Sequence, residues 1–505
     1  MSALIRHDTP ISAHYPGSFL NADPRFFHIQ GFLFLKMTDR CSYSSIWKVA
    51  YPLILMNAGM TIMQFCDRKF LAMHSEEEVA ASLPAGVLSF TILSFFIVMV
   101  AYTSTVVAQY FGRGKLHSCI QATWNGFYLS VFFGVVVVCL MPLIGLPILN
   151  HSGHEAHLIP LERDYFTTLI PGAAFACMNT AFVTFFNGSG RTLYSACINI
   201  CACGINVLLD YTLIFGRWGA PEMGIGGAGL ATSLSCAFGA SLAAACFLGQ
   251  KQSRYPTRSH RTFTTKEIKR LFRFGSPSAL QVLSDVGAYA GFAFLIGLID
   301  QEAMVVTTIV IAINHMAFYP MLGLADATGI LTGQLMGAHH PNLVFRLTYR
   351  AWMLATLYMA IIALFYVFFP EWLFGQFAPQ GNSQTEAFAE IIRKGKYLLL
   401  CALIYNFFDA LKFVFMGALR GAGDTRACVI ITTICAWGIM IPGMAIMIFC
   451  FNQGVVSVWI FSSVCVLLEA GIYYWRFRTE KWKQIHVIDP IQTAMGNPLP
   501  PEEIP

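Results

Sequence analysis

The chain has 505 residues, of which 56% are hydrophobic and only 12% are charged, and its mean hydropathy is +0.59. A soluble domain carries about one quarter charged residues, so this composition excludes an ordinary soluble protein and predicts an all-α polytopic membrane protein. The formal charge of +5 comes from short basic clusters between apolar runs and does not indicate nucleic-acid binding.

Residues 1–44 are polar and contain one short apolar run at 31–35. That run cannot span a bilayer, so we expect a cytoplasmic tail with an interfacial turn. Apolar stretches long enough to cross about 30 Å of hydrocarbon follow it. They predict twelve transmembrane helices, at 46–70, 79–109, 118–149, 163–186, 192–216, 226–250, 271–299, 303–335, 344–369, 390–418, 427–450 and 453–475.

Lysine and arginine concentrate in alternate loops, and loops with such an excess face the cytoplasm. The longest of them, 251–270, holds seven basic residues, whereas the intervening loops are often acidic, as at 76–78. Both termini and the loop 251–270 are therefore predicted to be cytoplasmic. The proline-rich segment 488–505 is predicted to be disordered. Three basic residues at the outer end of the tenth helix depart from the pattern: Arg393, Lys394 and Lys396.

The two halves of the chain repeat each other. Pairs of identical residues lie 225 positions apart: Pro52 and Pro277, Thr103 and Thr328, Gln109 and Gln334, Gly112 and Gly337. Because six helices separate equivalent positions, both halves point the same way through the membrane, as in transporters built from two bundles around a central cavity. The predicted domains are a tail at 1–44, a six-helix bundle at 45–250, a basic linker at 251–270, a second bundle at 271–475 and a tail at 476–505.

Asp409 is an acid within a predicted span. A carboxylate in hydrocarbon costs roughly 2.5–3.5 kcal/mol on insertion scales, so a chain retains one there only with a partner or a function. Tyr405 lies four residues earlier on the same helix face, where both side chains could hold one cation or proton. The alternative is that Lys412, three residues later, neutralises the carboxylate.

The sequence GAGD at 421–424 fits the GxGD pattern of intramembrane aspartyl proteases. Asp424 follows Arg420 in an interfacial turn, however, and its counterpart in the first half is Arg191. A tight turn is the better interpretation, with glycines supplying unusual dihedrals and Asp424 or Thr425 capping the next helix. The chain contains neither an HExxH motif nor a GxxxxGK loop, so we predict no enzyme and no cofactor.

Four segments, on two six-helix halves, together resemble the multidrug and toxic compound extrusion (MATE) family, most closely its NorM-type branch. They are FFNGSGRT (185–192), INVLLDYTLIFG (205–216), GIGGAGLATSLS (224–235) and GALRGAGDTR (417–426), and the resemblance runs from about residue 45 to 475. It implies an antiporter that exports organic cations and other amphipathic compounds in exchange for sodium ions or protons. We expect a monomer among the lipids of a bacterial plasma membrane.

The resemblance implies an ion-binding cluster in the first half. Asp67 matches the acid of the first helix, Asn206 and Asp210 match an NxxxD pair, and Thr232 completes the site. Hard oxygen ligands from three helices suit a sodium ion, and two close acids suit a shared proton. The alternative is that Asn206 and Asp210 only bridge helices, a contact worth about 0.6 kcal/mol.

The resemblance also implies a second-half site for an ion or the substrate. Asp285 stands where NorM-type members typically carry glutamate, and Tyr405 and Asp409 match a YxxxD pattern. An alternative of the same superfold, a flippase for lipid-linked precursors, would show extra helices and a strongly cationic cavity.

Basic residues beside the acids depart from the family pattern. Arg68 and Lys69 follow Asp67, and Lys412 follows Asp409. A neighbouring cation stabilises a carboxylate's charge and could replace the coupling ion.

Overall fold

The computed structural model describes residues 39–250, 255–377 and 386–489, and among these residues it contains helices and no strand. The predicted interfacial turn at 31–35 and the predicted disorder from 490 onward lie outside the described residues. In the described part of the chain, eleven helices are long and apolar enough to span a membrane, and a bent pair makes up to twelve. The prediction of an all-α fold with twelve spans is confirmed.

The spans are numbered α1 to α12 in chain order. They are α1 Tyr43–His74, α2 Glu76–Gly112, α3 Leu116–Asn150, α4 Leu158–Gly188, α5 Thr192–Ile214, α6 Gly224–Leu248, α7 Thr265–Gly297, α8 Gln301–Gly337, α9 Pro341–Phe368, α10 Glu386–Ala422, α11 Thr425–Phe449 and α12 Val455–Arg478. Helix α8 bends by 44° between Gln301–His315 and Ala317–Gly337. Helices α1 to α6 pack into one lobe and α7 to α12 into a second, and α1 and α2 contact α7 and α8 across the interface.

The lobes join at one membrane face, which we call the linker end because residues 255–264 lie there with the loops 113–115 and 338–340. The opposite face is the far end. Gln109 Nε2 donates to the carbonyl of Gly421 at 3.1 Å, and Gln334 Nε2 donates to that of Gly188 at 2.9 Å. Each donor and each acceptor is the repeat equivalent of the other, so both lobes make the same bond to their neighbour.

The interface between the lobes stops near the middle of the membrane. The deepest hydrogen bond between them, counted from the linker end within the described residues, runs from Asn57 Nδ2 to the Tyr319 carbonyl at 3.3 Å. Beyond it α1 exposes Ile62 and Phe65, and α7 exposes Tyr289. The lobes are therefore closed at the linker end and separated by a cleft at the far end.

The chain after α12 packs more firmly than predicted. Trp482, Val487 and Ile488 are buried, and the carboxylate of Asp489 pairs with Lys266 at 2.8 Å. The hydrogen bond from Lys266 holds the pKa of Asp489 below its usual range. The prediction of disorder is wrong for residues 488 and 489, because an apolar surface and a basic helix start receive them.

One predicted boundary at the linker end also changes. Helix α7 begins at Thr265, not 271. Its charged first turns are helical because their side chains are paired, as in the buried ion pair of Arg270 with Glu267. The turn before α11 contains Gly423 at φ +100°, which agrees with the predicted tight turn in which glycines supply unusual dihedrals.

The predicted cap of α11 is wrong. Asp424 directly precedes the helix, but its side chain makes no capping hydrogen bond. Its carboxylate instead accepts from Arg476 Nε at 2.8 Å, and Thr425 Oγ1 is buried without a partner. The Asp424 carboxylate therefore pairs with Arg476 of α12 instead of capping α11.

Alanine at Gly337 should favour the conformation in which the linker end is open. A Cβ there would overlap the backbone carbonyl of Gln109, and such overpacking typically costs about 1–3 kcal/mol. That cost falls only on the closed interface, so it shifts the equilibrium about tenfold or more. Spin labels at Lys115 and His340 should report a longer distance between the lobes. Gly204→Ala, whose Cβ meets nothing within 4 Å, is the matched control, and an unchanged distance in Gly337→Ala would contradict this interpretation.

Candidate functional site

Helices α1, α5 and α6 bring Asp67, Asn206, Asp210 and Thr232 together in what we call the first-lobe cluster. Asn206 and Asp210 are completely buried. Helix α6 approaches α5 closely because Gly227 has no side chain, and a Cβ there would lie 2.7 Å from the Leu213 carbonyl oxygen. Small residues permit this kind of close packing in membranes. All four residues predicted for the first half are thus neighbours.

The Asn206 amide lies between its three partners. One end lies 3.4 Å from Thr232 Oγ1, and the other lies 3.1 Å from both Asp67 Oδ1 and Asp210 Oδ2. With nitrogen at the second end, the amide donates to both carboxyl groups. With oxygen there, three acceptors face one another, and only a cation or a proton can hold them together.

The two acids of the first-lobe cluster are themselves within hydrogen-bonding range of each other. Two carboxylates this close cannot both carry charge without a proton or a cation between them. Asp210 Oδ1 is also buried, and it has no hydrogen-bond partner among the described residues. A role limited to bridging helices leaves this oxygen unsatisfied, whereas a bound cation or proton would satisfy it.

The second-lobe cluster contains Asp285 of α7, Asp409 and Lys412 of α10, and Glu469 of α12. Lys412 Nζ lies 2.8 Å from Glu469 Oε2, and the other carboxylate oxygen of Glu469 accepts from Thr432 Oγ1 at 3.1 Å. Lys412 therefore forms its ion pair with Glu469 and none with Asp409, and its neutralisation of Asp409 stays a prediction. Lys412 points to a different helix, and both aspartates lie within its electrostatic reach.

Tyr405 lies on the same helix as Asp409 but belongs to a separate polar network. Its hydroxyl accepts from Asn314 Nδ2 at 2.8 Å, and Asn406 Nδ2 donates to Asn314 Oδ1 at 2.7 Å. Tyr366 donates to the same oxygen at 3.2 Å. The structure thus pairs the Tyr405 hydroxyl with an amide of α8 and shows no hydrogen bond from it to Asp409.

A change of helix geometry accompanies the second-lobe cluster. Residues Ile434–Met440 of α11 form a π-helical segment, and Trp437 Nε1 within it donates to the carbonyl of Ser284 at 3.3 Å. Ser284 directly precedes Asp285. Segments of this kind are frequent at functional sites because they displace one face of a helix.

Sequence reasoning missed Glu469 and Asp326. Each is the only acid in its predicted span, so the rule that singled out Asp409 would have found both. Asp326 is exposed and lies within electrostatic reach of Arg420. The network residue Asn314 carried no comparable signal, since a single amide in a span is common.

Arg68 faces the cleft between the lobes. It is exposed, and it lies within electrostatic reach of His315 and Tyr289 in the second lobe. It also acts on Asp67 at longer range, but the two form no ion pair within the described part of the chain. Arg68 therefore does not replace the cation or proton that the acids of the first-lobe cluster require.

Two six-helix lobes with equivalent orientation, a cleft open on one side and an acid cluster in each lobe define a membrane transporter of the internal-repeat class. The family model MatE matches residues 52–212 and 277–446, and its two matches begin at the equivalent residues Pro52 and Pro277. The chain belongs to the MatE family. It is therefore a multi-pass membrane protein of a transporter family and not an enzyme.

Curated relatives and solved structures agree with this assignment. A "Probable multidrug resistance protein NorM" of Thermotoga maritima is 25% identical over 87% of this chain and 93% of its own length. A relative of the same name from Mesorhizobium japonicum is 28% identical over 85% and 92%. A crystal structure of MATE in the bent conformation has a TM-score of 0.78 at 18% identity, covering 90% of this chain and 98% of its own, and it supports the fold.

Removing one charge of the Lys412–Glu469 pair should destabilise the protein. Both side chains are about nine-tenths buried, so Lys412→Met leaves a buried carboxylate without its counter-charge, at about 3–5 kcal/mol. Glu469→Gln should cost less, about 1–2 kcal/mol, because two aspartates remain near the lysine. In thermal unfolding in detergent, the double variant should lose less stability than the sum of the losses in the two single variants. Strictly additive losses would contradict direct pairing.

Proposed function

We propose that this protein is a secondary active antiporter that exports amphipathic organic cations in exchange for sodium ions or protons. The observation that carries the proposal is the first-lobe cluster, where Asp67, Asn206 and Asp210 converge and one carboxylate oxygen of Asp210 has no partner. The relatives named as multidrug resistance proteins support a small-molecule cargo.

The first-lobe cluster has the chemistry that a coupling ion needs. Carboxylate, amide and hydroxyl oxygens are hard ligands, which suit sodium, and the paired acids equally suit one shared proton. In this proposal the Asn206 amide presents nitrogen to the acids when the ion is absent and oxygen when a cation is bound. The same side chain then satisfies the cluster in both states.

The cleft gives the route for the cargo. Acid side chains in a cavity walled by apolar helices favour positively charged compounds. Asp285, Asp326 and Asp409 supply such charge in the second lobe. Closure at the linker end and opening at the far end represent one state of an alternating-access cycle.

We further propose that the linker end is cytoplasmic, in a bacterial plasma membrane, and that the protein works as a monomer. The loop charges support this orientation. The three exceptions at the far end are paired with acids, since Lys394 contacts Glu302 and Lys396 contacts Glu371, each within 2.8 Å. Arg393 likewise pairs with Glu390.

Asp210→Asn should abolish ion-driven transport, whereas Asp409→Asn should reduce it less and change which compounds are carried. The first substitution removes a carboxylate that holds the ion, and the second removes one that acts on the cargo side. The measurement is uptake of a panel of lipophilic cations into proteoliposomes under separately imposed sodium and proton gradients, at matched protein content. Normal coupling in Asp210→Asn with complete loss in Asp409→Asn would reverse the assignment.

A cysteine in the linker should be protected from an impermeant thiol reagent added outside intact cells. The positions are Ser259→Cys at the linker end and, as the opposite control, Trp218→Cys, which is 75% exposed at the far end. The background lacks the exposed native cysteines: Cys139, Cys197, Cys201 and Cys450. Labelling of Ser259→Cys with protection of Trp218→Cys would show the opposite orientation.

A further inference from the structure

Lys412 is a buried cation inside the second-lobe cluster, and the first-lobe cluster has no equivalent. Its ammonium contacts Glu469 Oε2 at 2.8 Å, and its side chain is only 12% exposed. In the first lobe Asp67 and Asp210 lie in contact with each other, with no ion pair to a basic side chain within the described residues. The two halves repeat, but their acid sites lie on different helices. Among the described residues, the second-lobe cluster differs in holding a basic side chain together with the acid that pairs with it.

The ammonium contacts one of the three carboxylates of the cluster, and these carboxylates come from three helices. Glu469 has a partner for each oxygen, Lys412 for one and Thr432 for the other. Asp285 and Asp409 have no hydrogen bond or ion pair among the described residues, yet both lie within electrostatic reach of the ammonium. A cation at the position of the ammonium would act on the same three acids, which belong to α7, α10 and α12.

The number of N–H donors on the lysine ammonium agrees with this placement. An ammonium carries three N–H donors, and among the described residues one of them is used, in the bond to Glu469. The four-carbon stem is flexible, so the other donors can turn toward Asp285 or Asp409 when the lobe rearranges. The charge then moves between acids without leaving the protein.

We propose that Lys412 is a tethered counter-cation that occupies the cation position of the second-lobe cluster. The cluster consequently takes no inorganic ion, and the protein binds its coupling ion in the first lobe alone. The assignment of that ion to the first lobe rests on the proposed function. The claim that Lys412 occupies the cation position of the second-lobe cluster rests on where Lys412 lies, and it is tested separately.

The test counts sodium ions bound by the purified full-length protein with radioactive sodium at constant ionic strength. Lys412→Met keeps the length of the side chain without its charge, and it should bind one sodium ion per chain more than the parent. Lys412→Arg keeps the charge and should gain none. Adding Asp409→Asn to Lys412→Met should remove the gained ion, whereas adding Asp210→Asn should leave it. Size-exclusion elution and melting temperature verify that each variant is folded.

The difference between variant and parent decides the proposal whatever the parent binds, because a proton-coupled parent would simply start from zero sodium ions. A folded Lys412→Met that gains no sodium, or a Lys412→Arg that gains one, overturns it. If Lys412→Met does not fold, Lys412→Met with Glu469→Gln removes both charges of the pair and keeps Asp285 and Asp409. With Asp210→Asn added to remove the first-lobe site, sodium should raise its melting temperature above that in equimolar choline chloride, and the absence of that shift overturns the proposal.

Discussion

Two carboxyl groups in contact within the membrane span set the central constraint on this protein. Asp67 and Asp210 lie within hydrogen-bonding range, and no basic side chain forms an ion pair with either in the described part of the chain. Charged oxygens at this separation repel each other strongly where water is scarce, so the pair requires a proton or a cation. Asn206 carries a side-chain amide, which can present either a donor or an acceptor to them by rotating.

The second determining feature is the reciprocal bond between the lobes. Gln109 and Gln334 each donate to a backbone carbonyl of the opposite lobe, and Gly112 and Gly337 let the helix ends meet without side chains between them. All of these contacts lie at the linker end, and the cleft lies at the other end. The repeat thus places a symmetric closure at one membrane face.

The two lobes differ in how they satisfy their acids. The first lobe leaves a buried oxygen of Asp210 without a partner, and the second lobe supplies Lys412. Burying an ion pair is expensive unless further hydrogen bonds complete it, and Thr432 provides one to Glu469. The two halves thus share a six-helix plan, while their acid clusters lie on different helices: α1, α5 and α6 in the first lobe and α7, α10 and α12 in the second.

The sequence by itself determined the class, the twelve spans and the repeat, because these follow from local hydrophobicity and from spacing along the chain. Asp67, Asn206, Asp210 and Thr232 could be proposed together from a resemblance, and the structure makes them neighbours. Only the tertiary structure decided which partner each charge takes. Lys412 pairs with Glu469 and Asp424 with Arg476, each on another helix, and such pairs depend on how helices pack. The burial of Ile488 likewise depends on a surface that exists only after α7 has joined the first lobe.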